Sequence, residues 1–178
     1  MKIPLVPIVL VFLIASGAGG CDQRLSAPNF SLISADGEQI ELLAETRQRP
    51  QLLLFWATWC PYCRALMPHL QSIQLEHGEY LNILAINFKE DGDPAAYLEK
   101  AGLDFVLLPD GDGVAELYGI EGTPGLILVD RNMQVRFDLR ELPILETDKD
   151  GKKLPHGQRA KLLAPYWAAE LRKAIRAL

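Results

Sequence analysis

Two hydrophobic rhythms alternate along this chain of 178 residues. Residues 51–57 and 80–87 are short, nearly continuous apolar runs, the pattern of strands buried on both faces. Between them, residues 61–77 repeat at helical spacing, with Leu66, Leu70, Ile73 and Leu75 marking an apolar side and Gly78 following as a stop. A second helix is predicted over residues 94–101, ended by Gly102, and residues 105–108 and 114–118 read as a short strand and a short helix. Residues 30–33 and 39–42 flank Asp36-Gly37, a strong turn dipeptide, and are predicted to pair as a hairpin. Residues 126–129 and 133–138 form two more strands around the turn Asp130-Arg131-Asn132. A closing helix over 159–177 is expected to be interrupted at Pro165, with Leu162, Leu163, Tyr166, Trp167, Leu171 and Ile175 as its apolar positions. Strand–helix alternation followed by a hairpin and a helix predicts an α/β sandwich around a mixed sheet.

The first 20 residues do not fit this alternation. Residues 3–20 carry no charge, follow the single cation Lys2, and turn small from Ala15 to Gly20 before Cys21. That is the pattern of an export leader rather than of a globular core. Ala18-Gly19-Gly20-Cys21 resembles the bacterial lipoprotein cleavage box, with Ala18 where that box usually has Leu. The resemblance implies lipidation of Cys21, and Asp22 resembles the residue that retains such proteins at the inner membrane. An uncleaved anchor and soluble export are the alternatives. All three place the domain outside the cytoplasm, on the periplasmic side of a bacterial inner membrane. The expected organisation is a leader over 1–20, a tether over 21–28 and one domain over 29–178, whose C-terminal helical extension covers about 158–178. Residues 146–157 are charged and turn-rich and read as an exposed loop. The net charge of −5 offers no basic excess for nucleic acid.

The chemistry concentrates in Trp59-Cys60-Pro61-Tyr62-Cys63. A helix N-terminus presents unpaired N–H groups and a partial positive charge, both of which favour a thiolate. A free cysteine titrates near about 8.5, and Cys-X-X-Cys thiols at such ends fall to about 3.5–7.5. Cys60 is therefore the expected nucleophile and Cys63 the resolving thiol. Half a zinc site and a pair of inert core cysteines are the competing readings, but zinc normally takes four ligands and the one remaining cysteine, Cys21, lies in the leader. No cofactor and no metal is expected.

Trp59-Cys60-Pro61-Tyr62-Cys63, Pro68, and Gly122-Thr123-Pro124 before a strand together resemble the thioredoxin fold. The hairpin and the extra strand and helix before Thr123 are similar to its membrane-tethered branch, the TlpA-like and cytochrome-c-maturation thiol oxidoreductases. The likeness covers residues 27 to about 140. It implies a thioredoxin-like sandwich with a central mixed sheet, an N-terminal β-hairpin and an inserted strand–helix. It also implies a cis Pro124 facing the cysteines, with the backbone of Thr123 open to an extended substrate segment. Pro61 suits the first helical position, Trp59 walls the site, and Tyr62 is expected to be exposed toward substrate.

The implied activity is thiol–disulfide exchange with protein dithiols or disulfides, as a reductant recharged by a membrane thiol donor, in a monomer attached through its N-terminus. A disulfide oxidant or isomerase is the alternative. The family's usual acids near the cysteines are replaced by Leu54 and Leu66, leaving Glu90, Asp91 and Glu121 as nearby candidates for moving protons. Copper(I) delivery and peroxidase chemistry are weaker readings. His69 and His77 fall on the first helix and His156 in the charged loop, and Thr58 stands two residues, not three, before Cys60.

Overall fold

The computed structural model describes residues 25–144, 147 and 151–178. The leader and residues 21–24 of the tether, Cys21 and Asp22 among them, lie outside the described residues, as do 146 and 148–150 of the charged loop. Among the described residues no helix is long and apolar enough to cross a membrane.

Strands β1 (Ser31–Ile33) and β2 (Gln39–Glu41) pair antiparallel as the expected hairpin, with Gly37 at φ 84° in its turn. They form a two-stranded sheet of their own. Helix α1 (Leu42–Gln48), which periodicity does not predict, follows at once. Seven residues are too few to show a repeat, and burial of Leu42 and Thr46 rather than propensity holds the helix.

The main sheet contains β3 (Gln51–Trp56), β4 (Asn82–Asn87), β5 (Val106–Leu108), β6 (Gly125–Val129) and β7 (Val135–Asp138) in the order β5-β4-β3-β6-β7. Strands β3, β4 and β5 are parallel, whereas β6 runs antiparallel to β3 and β7 antiparallel to β6. All six residues of β3 are buried, as its unbroken apolar run requires of a central strand covered on both sides. The two-residue side-chain period sends Leu52, Leu54 and Trp56 into one layer and Leu53 and Phe55 into the other.

The first layer is covered by α2 (Pro61–His77) and α5 (His156–Arg176), and α3 (Pro94–Ala101) adds Leu98 to it. The second is covered by α1, the hairpin and α4 (Asp112–Leu117). The bounds of α2 and α3 are those predicted, and Gly102 closes α3 in the left-handed region at φ 64°.

Three expectations about helix faces change. Leu75 is 78% exposed and Leu162 56% exposed, so neither belongs to its helix's buried face. The buried stripes run instead through Cys63, Met67 and Leu70 on α2 and Leu163, Trp167 and Leu171 on α5. Pro165 does not interrupt α5, which starts at His156 and continues to Arg176. Pro165 is solvent-exposed, so the carbonyl it leaves unbonded faces water instead of core. Arg172 of α5 also pairs with Glu76 of α2 at 2.7 Å.

Leu70, fully buried between the sheet and α5, tests how much this layer contributes. Leu70→Ala is expected to destabilise the fold by about 2–5 kcal/mol, read as a lower urea midpoint at unchanged slope.

Candidate active site

Helix α2 begins directly after Cys60, because Pro61 needs no N–H donor at the first helical position. Cys60 is the N-cap residue, and its Sγ accepts the backbone N–H of Cys63 at 3.1 Å. A thiolate thus takes the place usually held by a Ser or Asp cap. Both cysteines are free thiols and both are buried.

Their environments push their acidities apart. Hydrogen bonding from the Cys63 thiol lowers the pKa of Cys60, burial opposes this, and the Thr123 hydroxyl and the N–H groups of Cys63 and Tyr62 lower it further, to about 6. Burial pushes Cys63 well above the ordinary thiol value, and its hydrogen bond to Cys60 and the charge of Cys60 raise it again. At neutral pH one sulfur is a thiolate and its neighbour keeps a proton. That is the division of labour a nucleophile and a resolving thiol need.

Thr123 reaches this site from the other side of the cleft, across a cis Thr123-Pro124 peptide bond. Its hydroxyl is near enough to both sulfurs to favour the thiolate at each. Trp59 is 46% exposed, and its indole N–H donates to the carbonyl of Lys89 at 2.8 Å. Tyr62 departs from expectation, because it is half-buried rather than exposed. It packs at 6.2 Å against Trp167, accepts a 2.7 Å hydrogen bond from Arg159 Nε, and lies 3.0 Å from His156 Nδ1. The cause is α5, which starts earlier than periodicity predicts and lays His156, Arg159 and Trp167 against Tyr62.

The acids near the site do not act as the sequence allowed. Leu54 and Leu66 are fully buried core residues. Glu90 accepts from the N–H of Thr58 at 2.8 Å, the Thr58 hydroxyl at 2.5 Å and Asn87 Nδ2 at 2.6 Å. Burial opposes its ionisation, but these hydrogen bonds outweigh it and hold the carboxyl at about 2. A group ionised that firmly supplies no proton near neutral pH. It acts as a clamp on the loop that carries Cys60.

Lys89, beside it, donates from Nζ to the carbonyl of Glu121 at 2.9 Å and so ties the same loop to the Thr123–Pro124 segment. Glu121 therefore contributes its backbone here. Tyr97 of α3, which no motif marks, has its phenol pKa raised by burial, with Arg64 opposing and the nearby cysteines adding to the rise. Among the described residues no group of three His, Cys, Asp or Glu side chains is placed to hold a metal ion.

A five-stranded mixed sheet, a dithiol capping a helix and a cis proline opposite define a thiol–disulfide oxidoreductase of thioredoxin-like fold. The chain belongs to the AhpC/TSA family, whose model matches residues 24–138. It is 32% identical over 115 residues to the thioredoxin-like protein YneN of Bacillus subtilis, covering 62% of this chain and 67% of that one. The thiol:disulfide interchange protein DsbE of Escherichia coli is 35% identical over 115 residues, and the match spans 60% of its length. DsbE of Yersinia pestis is 32% identical over 155 residues, covering 77% of this chain and 81% of that protein. Among solved structures, a secreted disulfide oxidoreductase of Mycobacterium tuberculosis shares the fold with a TM-score of 0.53 at 21% identity, covering 79% of this chain and 95% of that one.

Reaction of the reduced protein with iodoacetamide is expected to rise with pH, with its half-point near 6, and to modify Cys60 before Cys63. A half-point near the ordinary value of 9.0 would refute the assigned acidity. Glu90→Ala, which leaves the Thr58 N–H without its partner, is expected to cost about 1 kcal/mol in a denaturant melt.

Proposed function

We propose that this protein exchanges a Cys60–Cys63 disulfide with protein substrates outside the cytoplasm, working as a reductant. The carrying observation is the split between a stabilised Cys60 thiolate and a buried, protonated Cys63 at one helix N-terminus. The Cys60 thiolate attacks a substrate disulfide sulfur, the substrate S–S bond breaks, and one substrate thiolate leaves. Cys63 then gives up its proton and attacks the Cys60 sulfur of the mixed disulfide, releasing the second substrate thiolate. The two departing thiolates take up protons, the substrate gains two electrons, and Cys60–Cys63 ends oxidised. Thr123 and Pro124 form the ledge beside the reacting sulfur. Trp59 and Tyr62 flank it, and Pro61 sets the helix start.

The leader over residues 1–20 supports an extracytoplasmic setting, with Cys21 as the lipidation site and residues 21–28 as the tether. There, a membrane thiol donor returns the dithiol to its reduced form, and apocytochromes in cytochrome c maturation are one fitting substrate class. One observation favours the alternative of an oxidant or isomerase: a stabilised thiolate also stabilises the reduced state, which raises the potential.

The potential of the Cys60–Cys63 couple in a glutathione series decides between them. A reductant is expected toward the thioredoxin end of the range, near about −270 mV, and a value near about −120 mV would make the protein an oxidant. Cys63→Ser is expected to stop catalytic insulin reduction and to accumulate a mixed disulfide at Cys60. Turnover that survives the substitution would sink the dithiol mechanism.

A further inference from the structure

Beside Pro124 lies a groove of about 310 Å³. One wall belongs to the dithiol site, through Tyr62, Thr123 and Pro124. The other is built from residues after 138, beyond the stretch the family model matches: Leu139, Ile144, Leu163 and Trp167 give it an apolar floor and side. Ile144 is 68% exposed at the groove's edge. The groove adjoins the reacting sulfurs, because Thr123, which lines it, is near enough to both to favour their thiolates, and Tyr62, also in its lining, stands between them in the chain.

The groove's charge is one-sided. No acidic residue lines it among the described residues, whereas Arg140 and Arg159 both do. Arg140 is already neutralised by Asp138 and spends its remaining donors on the carbonyls of Tyr118 and Gly119. Arg159 is different. Its guanidinium lies 5.7 Å from the centre of the Tyr62 ring, donates to the Tyr62 hydroxyl and sits 3.2 Å from His156 Nδ1. Among the described residues it has no carboxylate partner. A fixed cation beside an apolar slot and a nucleophilic sulfur is complementary to a chain that offers all three counterparts in a row.

We propose that this groove selects protein substrates in which an apolar side chain adjoins the reacting cysteine and a carboxylate follows it, with Arg159 as the carboxylate's partner. The inference rests on the thiol-exchange reading and adds the substrate class to it. The apolar residue fills the space between Pro124 and Trp167, and the carboxylate meets a guanidinium that Tyr62 and His156 hold in place. The family match by itself does not supply this selectivity, since Arg159 and the apolar residues from Leu139 onward lie outside the matched stretch.

The test uses the reduced full-length chain and peptides whose cysteine carries a chromogenic thiol as a mixed disulfide. One peptide places Leu and then Asp beside the cysteine, a second replaces Asp by Lys, and a third replaces Leu by Gly. The Leu-Asp peptide is expected to react about three- to five-fold faster than the Leu-Lys peptide at low salt, as one partly exposed ion pair allows, with the ratio shrinking as salt rises. The Gly peptide is expected to be slower than its Leu counterpart. Arg159→Glu is expected to invert the Asp-to-Lys preference. Because that ratio is taken within one protein sample, partial loss of folded protein cannot mimic the inversion.

Equal rates for the Asp and Lys peptides in the wild type, or an unchanged ratio in Arg159→Glu, would overturn the proposal. So would a stable dimer of the full-length chain that Arg159→Glu dissociates, since a second copy would then occupy the groove. Failure of the wild type to reduce even a small aromatic disulfide would instead remove the thiol-exchange reading on which the inference stands.

Discussion

The structure depends on one arrangement: the Cys60 sulfur is the cap of helix α2. Its hydrogen bond from the Cys63 N–H satisfies one of the donors that a helix start leaves open. The same bond places the sulfur in the positive end of the helix field, where the thiolate is favoured. Capping and catalytic activation are therefore one interaction. Helix α2 must in turn be held rigidly for the geometry to persist, and its other face supplies that support. Cys63, Leu66, Met67, Leu70 and Ile73 are all buried, which presses the helix onto the sheet and α5. Each fully buried aliphatic side chain contributes about 1.5–3 kcal/mol to that contact.

A second constraint acts on the loop before the helix. Thr58 and Trp59 are pinned by Glu90 and by the Lys89 carbonyl, both from the turn after β4. Lys89 also holds the Glu121 carbonyl, so one short turn sets the spacing between the cysteine loop and the cis-proline loop. Gly92 in that turn sits so close to Thr58 that an added Cβ would lie 2.7 Å from the Thr58 hydroxyl oxygen. The close approach explains why a residue without a side chain occupies the position. An ionised acid at Glu90 then has a structural task, which separates it from the proton-moving role that its neighbourhood suggested.

The site was more legible in the sequence than the surface around it. Cys60, Pro61 and Cys63 announce a helix start by local chemistry alone, and the bounds of α2 follow from that start and the repeat behind it. Thr123-Pro124 was readable as part of the site through resemblance, since a three-residue turn has no period of its own. Tyr62 was misjudged because its burial comes from Trp167 and Arg159, about a hundred residues further on. Leu75 and Leu162 misled for a related reason: apolar spacing gives the width of a helix's hydrophobic face but not which edge of that face meets a neighbour. Helix α1 left no signal because seven residues complete too few turns to repeat.

The sequence by itself determined the chemistry and the layering. A Cys-Pro-Tyr-Cys segment at a helix N-terminus fixes a redox pair through local backbone charge, and alternating apolar runs fix a sheet covered on both faces. Both properties arise from residues a few positions apart. Tertiary structure decided the rest: how burial drives the Cys63 thiol away from Cys60 in acidity, what Glu90 holds, and the shape of the groove beside Pro124. Those depend on burial and on partners brought in from β4, β6 and α5, and burial is a property of the packed chain rather than of any segment of it.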